Sequence, residues 1–308
     1  MPHKNAVRIL AAAAGAAMAG VALMAGPVQA APTTAPQPGA KYVALGSSYA
    51  AGANVGPADP TDGGQCGRTL SAYPSLVAKA LDLNLASAAC GGATTENITT
   101  APQKVGTRTL GLQIDAVGAD TDLVTITIGG NDVSYVKNLI AESCIGDLAA
   151  NPSSPLSNYI KPFGLCIPTS DDAVLAALAP MESKLTQMVQ SVQAKAPHAR
   201  IVLVDYPTVL PEDGQPCASI PIIQDRQKFL LDVARELSLA TKHAAQKTGA
   251  EFVAASKESR QHDACSSDPW MTGYALAPGV SAMHPTAAGH AAVAAAVVKQ
   301  LTNPGAAS

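Results

Sequence analysis

Between Tyr42 and Leu301, short apolar runs alternate with helical patterns. That alternation limits the possible folds more than any other feature. The runs are Tyr42–Leu45, Asn84–Ala88, Leu123–Ile128, Arg200–Val204 and Glu251–Ala254. The third and fourth are rich in β-branched residues, which suit strands covered on both faces. Helical patterns separate the runs: Tyr73–Leu81, Asp172–Ala194 with a break near Pro180, and Ile222–Lys247. A last helix is predicted over Thr286–Leu301, capped by Thr286 and stopped by Asn303-Pro304. Strands alternating with helices predict an α/β three-layer sandwich around a five-stranded parallel sheet. Long loops remain at Ala53–Thr69, Cys144–Ser170, Leu210–Ile220 and Ser256–Met283.

The first forty residues read differently. Lys4 and Arg8 precede an Ala/Leu/Met-rich run that ends in Val28-Gln29-Ala30. This is the pattern of a secretory signal peptide over residues 1–30, cleaved after Ala30, and it predicts a secreted protein. Residues 31–40, rich in Pro, Thr and Ala, are expected to be disordered. One domain is expected over residues 41–303. Without Lys4 and Arg8 the 20 basic groups become 18 against 23 acidic, a balance of −5. There is no basic stripe, so nucleic acid is not an expected partner. No second run is long enough to span a bilayer.

Six cysteines follow the signal: Cys66, Cys90, Cys144, Cys166, Cys217 and Cys265. An even number in an exported chain implies disulfides. Six cysteines allow 15 pairings. Pairing in sequential order closes the shortest loops and is the expectation: Cys66–Cys90, Cys144–Cys166 and Cys217–Cys265. No Cys-x-x-Cys spacing suggests zinc.

Ligand sites in open parallel sheets form at the carboxyl ends of the strands. Ser48, in Gly46-Ser47-Ser48-Tyr49, follows the first run. Gly91 and Gly92 follow the second, and Asn131, in Gly129-Gly130-Asn131-Asp132, follows the third. His284 stands before the last helix. A serine hydroxyl needs a base within hydrogen-bond reach, and imidazole can take and return its proton near neutral pH. The oxyanion formed on attack needs preorganised donors. The Ser48 and Gly92 backbone N–H groups and the Asn131 amide fit that need, with Gly91 as an alternative. Asp132 reads as a cap for a helix beginning near Val133. His198, His243 and His290 lie in a turn or inside helices, which leaves His262 as the one rival base.

Together these motifs resemble the SGNH hydrolases, the GDSL-type esterases and lipases, most of all the secreted actinobacterial type with three disulfides. The resemblance spans essentially the whole chain after the signal. It rests on Ser48, Gly92, Asn131 and His284, in that order. It implies a flavodoxin-like fold and a carboxylic ester hydrolase, with Ser48 as nucleophile and His284 as base. A lipid or fatty-acyl ester is the implied substrate. No cofactor or metal is implied, and a monomer is expected. An acetyl- or acyl-carbohydrate esterase and a non-catalytic binding protein are the alternatives. Trp270 and Tyr274 either line an acyl pocket or pack beneath their loop.

Three positions depart from the family pattern. Ser47 and Tyr49 stand where the family's Asp and Leu would be. Ser281 stands where the family places the Asp that orients the histidine. Some secreted relatives use a main-chain carbonyl there, so the Ser281 carbonyl is the expected orienter, with Asp268 as the alternative. An α/β-hydrolase would require Gly-x-Ser-x-Gly, which this chain lacks.

Overall fold

The structure is a computed structural model that describes residues 34–53, 55–151, 166–274 and 281–303. The expected signal peptide, residues 1–30, lies outside them. Among the described residues there are seven strands: β1 Lys41–Gly46, β2 Asn84–Ser87, β3 Gln103–Val105, β4 Arg108–Leu110, β5 Leu123–Thr127, β6 Arg200–Val204 and β7 Glu251–Val253. Five of them form one parallel sheet in the order β2-β1-β5-β6-β7, and β3 and β4 form a separate antiparallel pair. The chain runs outward from β1 to β2 and then crosses back to β5, so the strand order reverses between β1 and β5. In a doubly wound sheet that reversal opens a crevice at the carboxyl ends of the two strands.

The helices are α1 Ser48–Ala51, α2 Tyr73–Leu81, α3 Thr95–Thr99, α4 Tyr135–Ala150, α5 Asp171–Leu178, α6 Met181–Lys195, α7 Gln224–Thr248, α8 Ala255–Glu258 and α9 Ala287–Thr302. Alternate strand residues face opposite layers. Val43, Leu45, Val124, Ile126, Ile201 and Leu203 pack into one core with Leu185, Val189 and Leu237 from α6 and α7. Tyr42, Ala44, Val202 and Val204 pack into the other with Val77 of α2 and Val297 of α9. Because both faces are covered, these strands carry almost unbroken apolar sequence.

At the amino end of the sheet, Arg200 pairs with Glu251 across the first residues of β6 and β7, with Nε to Oε1 at 2.7 Å. The same guanidinium donates to the Leu301 carbonyl at 2.8 Å and so ties down the end of α9. Removing one partner of such a buried pair costs about 3–5 kcal/mol.

The break near Pro180 separates α5 from α6, and Pro180 itself precedes the first turn of α6. The Thr286 hydroxyl accepts from the Gly289 N–H at 3.2 Å and caps α9. The structure corrects two expectations. Cys144–Ser170 is not all loop, because α4 continues through Cys144 to Ala150. Asp132 caps α3 rather than its own helix, accepting from the Thr95 N–H at 3.0 Å and the Thr95 hydroxyl at 2.6 Å. The disulfides are Cys66–Cys90, Cys144–Cys166 and Cys217–Cys265.

Candidate active site

The turn after β1 is set by Gly46. Its φ is +138°, and a Cβ there would lie 2.3 Å from the Thr127 carbonyl oxygen of the neighbouring strand, so only glycine fits. The Gln113 side chain holds both of its backbone groups, accepting from the Gly46 N–H at 2.8 Å and donating to its carbonyl at 3.0 Å. Ser47 donates its N–H to the Thr127 carbonyl, 2.9 Å. The chain then bends into the single turn α1, and Ser48 is its first residue. At that position a backbone N–H has no helical acceptor. Ser47 and Tyr49 are buried, whereas Ser48 is partly exposed.

His284 reaches this turn from the opposite end of the chain. Its Nε2 lies 2.7 Å from Ser48 Oγ, and its Nδ1 lies 2.6 Å from the Ala282 carbonyl oxygen. With Nδ1 donating to that carbonyl, Nε2 is the nitrogen that accepts from the serine. The expected orienter, the Ser281 carbonyl, is displaced by one residue: it accepts from the Thr272 hydroxyl at 2.6 Å. The backbone conformation is the reason. Met283 adopts a left-handed conformation with φ of +60°, which turns the Ala282 carbonyl back toward the ring. For a non-glycine residue that costs about 1–2 kcal/mol.

Asp268 faces a different histidine. Its carboxylate lies 3.3 Å from His262 Nδ1, and His262 stacks flat on Trp270 at 3.8 Å between ring centres. Trp270 is therefore a packing partner of its own loop. His243 pairs with Glu182, and buried His290 accepts from the Tyr73 N–H at 3.2 Å. Burial pushes His290 down to about 4.

The glycine and asparagine motifs lie on the same rim. The Cys90 N–H donates to the Gly46 carbonyl at 3.0 Å, placing the Gly91–Gly92 turn beside the serine turn. The Gly91 N–H is taken by the Cys66 carbonyl at 2.9 Å, which leaves Gly92, φ +77°, as the better-placed donor of the two. Asn131 donates through Nδ2 to the Ala93 carbonyl at 2.8 Å, and one amide proton remains.

Tyr206 joins both halves of the rim. Its hydroxyl lies 3.1 Å from Ser47 Oγ and accepts from the Gly130 N–H at 3.0 Å. It stands just past the end of β6, where the strand-end rule would have found it. Beyond Tyr206 is a cavity of about 420 Å³, lined by Leu210, Leu237 and Arg260 among others; its lining includes neither Ser48 nor His284.

Burial pulls the His284 imidazole below the usual histidine range, and the Ala282 carbonyl offsets this only in part. A base must be neutral to accept a proton, so activity rises as pH climbs through its pKa. The acidic limb of a kcat/KM profile is therefore expected below the usual histidine range. A limb at or above that range would contradict the buried setting.

A hydroxyl–imidazole pair at the carboxyl end of a parallel sheet is the arrangement of a serine hydrolase. The sequence comparisons give the family. The GDSL-like lipase/acylhydrolase family matches residues 44–292, and the chain belongs to it. It is 35% identical to Lipase 2 of Streptomyces coelicolor over 274 residues, 86% of this chain and 85% of that one. The crystal structure of an extracellular lipase from Streptomyces rimosus superposes with a TM-score of 0.64 at 26% identity, covering 86% of this chain and all of that one. A phospholipase A1 from Streptomyces albidoflavus gives 0.62 at 25% identity, over 86% of this chain and 99% of that one. The protein is a carboxylic ester hydrolase of the SGNH type with three disulfides.

Proposed function

We propose that this protein is a secreted, monomeric lipase that cleaves fatty-acyl esters through an acyl-enzyme on Ser48. The observation that carries the reading is the 2.7 Å contact between Ser48 Oγ and His284 Nε2. In the first step His284 takes the serine proton as Oγ bonds to the ester carbonyl carbon. The developing oxyanion is met by the Ser48 and Gly92 N–H groups and the free proton of the Asn131 amide. The imidazolium keeps its Nδ1 proton on the Ala282 carbonyl and gives the other to the departing alcohol. Water then enters, His284 deprotonates it as it attacks the acyl carbon, and the imidazolium returns that proton to Oγ as the Oγ–acyl bond breaks, releasing the acid and restoring Ser48. None of these steps requires a metal or cofactor.

The fatty-acyl substrate is supported by the relatives named lipase and phospholipase A1. Secretion is supported by the extracellular relative and by three disulfides, which persist in oxidising compartments. Nitrophenyl esters from acetyl to palmitoyl test the substrate. Turnover is expected to favour the longer chains. Hydrolysis confined to the acetyl ester would point instead to a short-chain esterase. Failure of a serine-reactive phosphonate to label the folded protein would sink the catalytic reading altogether.

A further inference from the structure

We propose that the Tyr49 and Thr272 hydroxyls are positioning groups that clamp the histidine turn, so that the Ala282 carbonyl does the orienting work a carboxylate does in a Ser–His–Asp site. The inference rests on the Ser48–His284 pair being the catalytic one.

A backbone carbonyl is an orienter only if its peptide plane is fixed. A carboxylate can rotate on its own side chain to follow the ring, but the Ala282 carbonyl moves with the main chain. Ala282 cannot fix itself, since its methyl group makes no hydrogen bond and the residue is partly exposed. The turn also contains the left-handed Met283, a conformation that persists only where its surroundings enforce it.

The peptide groups on both sides of the Ala282 carbonyl are held. On the near side the Thr272 hydroxyl donates to the Ser281 carbonyl at 2.6 Å. On the far side the same oxygen accepts from the His284 N–H at 3.0 Å. The Thr272 N–H donates to the His284 carbonyl at 2.8 Å, so this one residue grips the turn at three points. The Met283 N–H goes to the Gly273 carbonyl at 3.2 Å, and its carbonyl accepts from the Tyr49 hydroxyl.

Tyr49 adds a link that Thr272 cannot. It is the residue after Ser48, so its hydroxyl ties the nucleophile turn directly to the histidine turn. Its ring centre lies 5.0 Å from that of His284 and 4.6 Å from that of Tyr206. It is buried, and burial keeps the phenol protonated and so always a donor.

The test uses Tyr49→Phe, Thr272→Val and Thr272→Ser in the full chain, with a nitrophenyl ester as substrate. Phenylalanine keeps the ring packing and removes only the hydroxyl; serine keeps the hydroxyl of Thr272. Tyr49→Phe and Thr272→Val are expected to lower kcat by about ten- to a hundredfold with KM unchanged, the scale of a small misplacement at a reacting centre. The acidic limb of kcat/KM should move to lower pH, because the Ala282 carbonyl favours the imidazolium. Thr272→Ser should keep both wild-type values.

A wild-type kcat and pH limb in Tyr49→Phe would overturn the clamp. So would losses confined to KM or to melting temperature while the limb stays in place. If Thr272→Val does not fold, Tyr49→Phe decides on the same readouts. Ser48→Ala separates the two levels: turnover surviving in it would remove the catalytic pair itself, whereas its loss beside an unaffected Tyr49→Phe would remove the clamp alone.

Discussion

Ser48→Ala should lower kcat by about 10⁴-fold or more while leaving the fold intact, because in the proposed mechanism Oγ is the atom that carries the acyl group. The hydroxyl is partly exposed, and its side-chain partner among the described residues is His284 Nε2 at 2.7 Å, so its removal costs the fold that one hydrogen bond. His284→Ala should cost a similar factor, since a serine without its base is a weak nucleophile. The double variant should be little worse than either single one. Groups that act as one unit fail together, and the residual rate then comes from binding and the oxyanion donors. The measurement is kcat for the three variants, each titrated with a serine-reactive phosphonate to exclude contaminating wild type. Losses that multiply in the double variant would show that the two residues act separately, and the proposed mechanism would fall.

The sheet was legible because its strands are buried on both faces. Five apolar runs with helices between them have few other solutions, and β1, β5 and β6 start and end within a residue or two of the expected bounds. What the pattern hid was structure whose buried positions are polar. The extent of α4 was not legible, because its inward positions include Asn138, Glu142 and Ser143. Each of the first two has a partner from far along the chain. Asn138 accepts from the Thr169 N–H at 2.8 Å, and Glu142 meets Arg226 at 2.8 Å. No local periodicity announces a helix face that is satisfied by distant groups. The hairpin of β3 and β4 was missed for a simpler reason: each strand has three residues, too few to show alternation.

The site divides along a similar line. Ser48, Gly92, Asn131 and His284 could be nominated because topology sends strand ends to one rim. The groups that aim the histidine could not be found in this way. The Ala282 carbonyl has no side chain to mark it, and the left-handed turn that aims it falls on Met283, a residue type that gives no warning of positive φ. Asp268 looked eligible because it shares a loop with His284, but the loop carries it to His262 instead. Thr272 grips a segment nine to twelve residues away, in a loop without regular spacing. Sequence patterns therefore reached the residues proposed to react, and three-dimensional contacts were needed for the support of the histidine.

The second large effect should come from Asn131→Ala. Losing one oxyanion donor costs about 10²–10³-fold in kcat where a side-chain amide fills that role, a scale set by another serine hydrolase. KM should change little, because the interaction strengthens only as the carbonyl oxygen gains charge, so kcat and kcat/KM should fall together. The substitution also removes the 2.8 Å bond to the Ala93 carbonyl, which links the loops after β2 and β5. A loosened loop could slow turnover by itself, so kcat is not sufficient. The rate of inactivation by a serine-reactive phosphonate supplies the distinction, because its phosphoryl oxygen must enter the same donor cluster as the ester oxyanion. Asp132, bonded to Thr95 at 2.6 Å, continues to join the two loops in the variant. Inactivation should then slow in step with kcat. A slower kcat with an unchanged inactivation rate would mean that Asn131 supports the loop without touching the oxyanion, and the hole would have to be rebuilt from the Ser48 and Gly92 N–H groups.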